Sequence, residues 1–363
     1  MPCRILTPMS CGECHIENSQ IRCDTSKVMF YCSEEHQGSH RQQHETICRG
    51  VAEYRANVKA AEAKLRALVP SGEDPFVDQD FPFPAPREGL QGAVMDVRYA
   101  RDSLLLGLVY IRSFEARTEM LAHSLGLLRE PEWSRRYIRR TAAVMLDLGM
   151  DQECSDLLHW WSMADGEPDV ERLSIVSPSL PILNFPRGVS VMEPIDYGGD
   201  WVRLDGVTAY LFLLKIQALL DLTRLSLCTP AFAAKVPREI FDAIREYIPV
   251  SPGVINHPAL RGKLTYTDEI KQLTRLIEGL WEDVSCSHEW ELVEVLYRDE
   301  DVHVHHRRYD QVACLTCLFR RDPEAVAYIQ SFINWDYLRS LSKERLRESM
   351  GLCEVPAVRV YKR

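Results

Sequence analysis

Cysteine and histidine crowd the segment CGECHIENSQIRCDTSKVMFYCSEEHQGSHRQQHETIC, which runs from Cys11 to Cys48. Cys11 and Cys14 form a C-x2-C step, Cys32 and His36 a C-x3-H step, and His44 and Cys48 an H-x3-C step, with Cys23 between them. A C-x2-C step turns two side chains onto one centre from a tight knuckle, and an x3 step does so from one turn of helix. Thiolate sulfur mixed with imidazole nitrogen suits a tetrahedral zinc ion. The segment carries few large apolar residues. It cannot bury enough surface to fold unaided, so metal binding would supply the missing folding free energy.

Clustered thiols have a second use, as a disulfide framework. The opening stretch MPCRILTPMS has no long apolar run of the kind an export signal carries. That favours a reducing compartment, cytoplasm or nucleus, where Cys/His clusters serve metal. The distribution of the twelve cysteines agrees: five lie between 11 and 48 and three between 286 and 317, a pattern of local sites rather than a chain-wide network.

The second group begins with Cys286-x-His288 and closes with Cys314-x2-Cys317. Between them EWELVEVLYRDEDVHVHHRRYDQVA alternates apolar and polar residues around a charged RDED turn, as a β-hairpin does. Hairpin pairing would bring the two ligand pairs together, the logic of a zinc ribbon. Closed four-ligand coordination would make that zinc structural, since a catalytic one keeps an open position.

The order and spacing of the first group resemble the MYND-type zinc finger. The likeness extends to Tyr31 before Cys32, Ser33 after it, and Gln37 after His36. It implies a cross-brace in which Cys11, Cys14, Cys32 and His36 hold one zinc. The second zinc is implied to take Cys23, the residue at 26, His44 and Cys48. Position 26 is Ser26, a poor zinc ligand. His40, one helical turn before His44, is the expected fourth donor, with His15, Asp24 or water as substitutes. Arg41 stands where the family carries a tryptophan of its peptide groove. The stretch LDLGMDQECSDLLHWWS resembles the helical region that accompanies a MYND finger in fungal proteins of unassigned activity.

The elements that must position these groups read as mainly α. After the finger (1–50), VAEYRANVKAAEAKLRAL is rich in helix formers, free of Pro and Gly, and apolar at helical spacing, predicting a helical extension over 51–69. A Pro/acidic linker follows over 70–93; its FPFPAP reads as an extended wrap over a neighbouring domain. A helical-hairpin domain is expected over 94–284, its first stretch being either two helices or one long kinked one. Pro131 opens a helix, Gly149 is a C-cap, and Asp151 is the N-cap of the next helix. His159, Trp160 and Trp161 read as a packed helix end. The most apolar stretch, VRLDGVTAYLFLLKIQALLDLTRLSL, is broken by charges and reads as a central buried helix, not a membrane span. The zinc-ribbon hairpin takes 285–320, and C-terminal helices and tail take 321–363.

A net charge of −10 argues against generic binding to phosphate backbones, and no phosphate loop or nucleophile elbow is found. The expectation is a non-enzymatic adaptor or regulatory protein. It would hold two zinc ions in the finger if the second site is completed and one in the C-terminal hairpin. The resemblance implies protein partners, engaged through Pro-rich peptides, in transcriptional or ubiquitin-linked assemblies. The alternative is a SET/MYND-like lysine methyltransferase, to which Asn256-His257 and Leu264-Thr265-Tyr266 bear a partial likeness. The first half of such an enzyme has no room before residue 11, and its motifs are incomplete.

Overall fold

Thiols and helix formers sort into a small ribbon-bearing finger and a layered set of helices. The computed structural model describes residues 6–68, 89–128, 131–163, 188, 190–194, 207–233, 235–245, 248–249, 251, 254, 257, 260, 263, 265–281 and 323–332. Two short antiparallel strands, β1 (Ile21–Arg22) and β2 (Phe30–Tyr31), pair Ile21 with Tyr31 and Arg22 with Phe30. They form the sole sheet among the described residues.

The helix α1 (Glu34–Ala67) runs without a break from the finger into the extension. At 34 residues it is about 50 Å long. Ser33 caps it by accepting from the His36 backbone N–H at 3.2 Å, and Glu34 and Glu35 face the positive end of the helix dipole. The expected helical extension is thus one body with the finger helix.

The helical layers follow in sequence: α2 (Leu90–Val109), α3 (Phe114–Leu128), α4 (Pro131–Asp147) and α5 (Asp151–Met163). Each packs on its predecessor, beginning with α2 on α1. The open choice between two helices and one resolves as two. The break falls between Val109 and Phe114, and Ser113 starts the next helix by accepting from the Ala116 N–H. The second helix begins at Leu90, earlier than Val94, because Leu90 and Val94 bury against Leu65 of α1. Gly149 has the left-handed φ of +72° that a C-cap needs. Asp151 is the first helical residue rather than the cap, a one-residue difference at a frayed boundary. Trp161 is buried, as expected of a packed helix end.

The central apolar helix α6 (Thr208–Ala233) contacts α5, α7 (Arg238–Arg245) and α9 (Pro323–Phe332). Helix α8 (267–281) adds Leu273, Ile277 and Leu280 to the same core. Lys215 is buried on α6; its ammonium donates to the carbonyls of Val191 (2.7 Å) and Glu193 (2.9 Å) and so anchors the 190–194 segment. None of the described helices is long and apolar enough to cross a membrane. The expected linker up to residue 88 with its FPFPAP segment, the expected zinc-ribbon hairpin with Cys286, His288, Cys314 and Cys317, and the tail beyond 332 lie outside the described residues.

The finger does not hang from its helix. Cys11, Cys23, Val28, Met29 and Tyr31 belong to one apolar core with Leu104, Leu108 and Ile111 of the body. Three polar ties reinforce the joint. Ser113 donates to the Val28 carbonyl, the Met9 N–H donates to Glu115 at 2.8 Å, and Arg55 of α1 donates to the Ser26 carbonyl. The same Arg55 forms a two-pronged pair with Glu119 of α3, at 2.6 and 2.5 Å. A Cβ on Gly107 would stand 2.9 Å from the Tyr54 ring and 3.3 Å from Val51, which explains a glycine in the last turn of α2: it is where α1 touches α2.

Candidate metal centre

Two knuckles of the same shape build the finger. In the first, Cys11-x2-Cys14 is followed by His15 at φ +61°, whose N–H donates back to the Cys11 carbonyl at 2.9 Å. In the second, Cys23-x2-Ser26 is followed by Lys27 at φ +55°, whose N–H donates back to the Cys23 carbonyl at 2.9 Å. The strained left-handed residue closes each turn and leaves the side chains two apart facing one point. The entry to α1 brings Cys32 and His36 to the first knuckle, and one later turn of the helix brings His44 and Cys48 to the second.

Cys11, Cys14, Cys32 and His36 have ligand atoms all within 4.8 Å of one another, and so do Cys23, His44 and Cys48. In the first group the sulfurs of Cys14 and Cys32 are 3.5 Å apart, and His36 Nδ1 lies 3.7 Å from Cys11 and 3.1 Å from Cys32. In the second, Cys23 and Cys48 are 3.5 Å apart. Zinc bonds of ~2.3 Å to sulfur and ~2.0 Å to nitrogen give tetrahedral edges of about 3.8 Å (S···S) and about 3.5 Å (S···N). Both donor sets therefore fit zinc.

The local electrostatics prepare the ligands. Burial pushes the Cys11 thiol up, but the backbone N–H groups of Cys14, Cys32 and Glu13 outweigh it and bring it down to about 6. Burial also opposes ionisation of Cys23, where the Ser26 hydroxyl and backbone win and lower it. Cys32 is pushed up to about 11, and Cys48 upward, by desolvation and by the neighbouring sulfurs. Crowded thiols raise one another's cost of ionisation, a cost that a bound cation would offset. Burial, with His40 adding to it, holds His44 near 4, so its imidazole is neutral, the form that ligates metal.

His40 does not join the second group. Its Nδ1 is 3.0 Å from the Tyr31 hydroxyl, and its ring stacks on His44 at 5.5 Å. The helical-turn spacing that suggested it as a ligand is real, but Tyr31 takes up its Nδ1, and the ring is not among the donors gathered within 4.8 Å around Cys23, His44 and Cys48. His15 closes the first knuckle by its backbone instead. The residue facing the second group is Ser26, fully buried, with its hydroxyl 3.1 Å from His44 Nε2. The signal for it was in the sequence, in the C-x2-S step that copies C-x2-C.

Residues 10–48 match the family model of the MYND finger. This segment is a MYND finger. No curated protein and no solved structure matches the chain, so the likeness of the body to fungal proteins gains no support. Elsewhere, Cys154 is a wholly buried thiol on α5, its ionisation suppressed by burial, and it packs rather than ligates. Tyr266 is buried too, and its hydroxyl donates to the carbonyls of Leu260 (3.5 Å) and Lys263 (3.2 Å).

Proposed function

We propose that this chain is a zinc-stabilised protein-interaction protein, working as an adaptor or regulator in transcriptional or ubiquitin-linked assemblies of the nucleus or cytoplasm. Its finger takes two zinc ions. Cys11, Cys14, Cys32 and His36 hold the first, and Cys23, His44 and Cys48 supply three donors to the second. A third ion is assigned, on sequence spacing alone, to Cys286, His288, Cys314 and Cys317.

The observation that carries this reading is the inward closure of both finger clusters. Four donors close the first, and the buried Ser26 hydroxyl, 3.1 Å from His44 Nε2, fills the space beside the three donors of the second; with no position left to a substrate, the metal's role is structural and the work falls to surfaces. The finger's surface is available: Ile16 is 59% exposed in the first knuckle loop, and the Arg41 side chain is 78% exposed on α1. An exposed arginine in place of the family's groove tryptophan favours a partner peptide with acidic residues over a purely Pro-rich one. The methyltransferase alternative loses its tyrosine, whose hydroxyl is spent on two backbone carbonyls.

Deleting residues 1–69 would not test this, because it strips α1 from α2 and exposes the core. Surface substitutions are the better probe. Ile16→Asp and Arg41→Glu, with zinc content intact, are expected to lose the partners that the wild type captures from cell extract. Identical partner sets for all three proteins would remove the finger from the interaction.

A further inference from the structure

We infer that the Ser26 hydroxyl is the fourth donor of the second zinc site, giving a Cys2His–hydroxyl site that exchanges its metal more readily than the first. The inference rests on the zinc loading proposed for the finger.

Three independent features place Ser26 there. The first is the repeat of the knuckle. Ser26 holds in the second turn the position that Cys14 holds in the first, each followed by a left-handed residue whose N–H returns to the leading cysteine carbonyl at 2.9 Å. The second is distance. The Ser26 hydroxyl is 3.1 Å from His44 Nε2. An oxygen and a nitrogen bound to one zinc would be about 3.4 Å apart. A buried hydroxyl on the knuckle that carries Cys23, in reach of His44, stands at the remaining corner of the tetrahedron. The third is the position of His40, held by Tyr31 and stacked on the flank of His44.

Charge and burial explain why a hydroxyl is tolerated. Three thiolates and an imidazole leave a bound zinc with net −1, and that site is partly open, with Cys32 exposed. Two thiolates, an imidazole and a neutral hydroxyl leave net zero. That site is enclosed: Cys23, Ser26, His44 and Cys48 are all buried. A buried neutral complex avoids the desolvation cost of a buried charge. What is lost is one strong metal–sulfur bond. Outer-shell partners of a zinc ligand are worth about 10–100-fold in affinity, so a change within the ligand set itself should matter by at least about tenfold.

The test compares full-length wild type with Ser26→Cys, Ser26→Ala and His40→Ala, each loaded with zinc and titrated with a competing chelator under native mass spectrometry. The expected wild-type result is one ion that leaves well before the tightest. Ser26→Cys should retain that ion against at least about tenfold more chelator, and Ser26→Ala should release it about tenfold sooner. His40→Ala should keep it. Cobalt(II) loading gives a second readout that does not depend on affinity: sulfur-to-cobalt charge-transfer absorption should rise by one thiolate's worth in Ser26→Cys. Release from Ser26→Ala at the wild-type concentration, or loss of the ion in His40→Ala, would overturn the assignment. So would an unchanged cobalt spectrum in Ser26→Cys. In each of these cases a retained first ion leaves the finger reading standing; a wild type that binds no zinc removes that reading itself.

Discussion

Arg55 ties the second metal loop to the helical body, and its removal is the sharpest test of the joint. It donates to the Ser26 carbonyl and holds Glu119 of α3 with two parallel bonds at 2.6 and 2.5 Å. The two side chains are 20% and 23% exposed. Breaking a fully buried pair costs about 3–5 kcal/mol, and an exposed one is worth about 0–1 kcal/mol. A largely enclosed, two-pronged pair falls between, and Arg55→Met, which keeps the aliphatic stem, should cost about 2–3 kcal/mol. Glu119→Leu and the double variant complete a cycle that isolates the pair from the packing of each residue, with an expected coupling of about 2 kcal/mol. The assay is urea unfolding of zinc-loaded protein, read by far-UV circular dichroism. A second consequence is specific to this geometry. Arg55→Met should speed zinc release from the second site while leaving the first unchanged, because only the Ser26 loop loses an anchor. A coupling below about 0.5 kcal/mol, or equal effects on both sites, would refute the view that Arg55 joins finger to body.

Two further outcomes follow from the α1–α2–α3 packing. Gly107→Ala gains about 1 kcal/mol of helix propensity but forces a Cβ to 2.9 Å from Tyr54; overpacking of about 1–3 kcal/mol should win, and a stabilised variant in thermal unfolding would show that the helices can part freely. His123 is held near 4, below its ordinary 6.5, by burial and by Arg101, with Glu119 and Glu62 opposing. The unfolded chain therefore takes up a proton that the folded one refuses. The His123 contribution is complete above pH 6.5 and is lost as pH falls from there through 4, on the order of 3 kcal/mol at most. In parallel pH titrations of stability, His123→Gln should be less acid-sensitive than wild type over that window, and since the metal ligands titrate in both proteins, identical profiles would contradict the burial of this ring.

What was legible in the sequence was local. The ligand steps, the helix from 51 to the Pro-rich stretch, the Pro131 start and the Gly149 stop each depend on residues within a turn or two of one another. The joint was not legible, because Arg55 reaches Ser26 across 29 positions and Glu119 across 64, and no periodicity announces such a contact. His40 shows how local logic can mislead. One turn before His44 is the right face of the helix, but the Tyr31 hydroxyl decides what its nitrogen meets. Ser26 shows the converse, since residue type argued against it while the shape of its knuckle argued for it. The break between α2 and α3 carried neither Pro nor Gly; α3 starts on a serine cap that also holds the finger.

The most direct measurement is zinc per chain by native mass spectrometry, on wild type purified without chelator, on Cys11→Ala with Cys14→Ala, on Cys23→Ala with Cys48→Ala, and on the double variant that joins both pairs. Each paired change is predicted to remove one ion and the double variant to lose two, whatever Cys286, His288, Cys314 and Cys317 hold. An unchanged zinc count in the double variant would contradict the account of the finger as a two-zinc module.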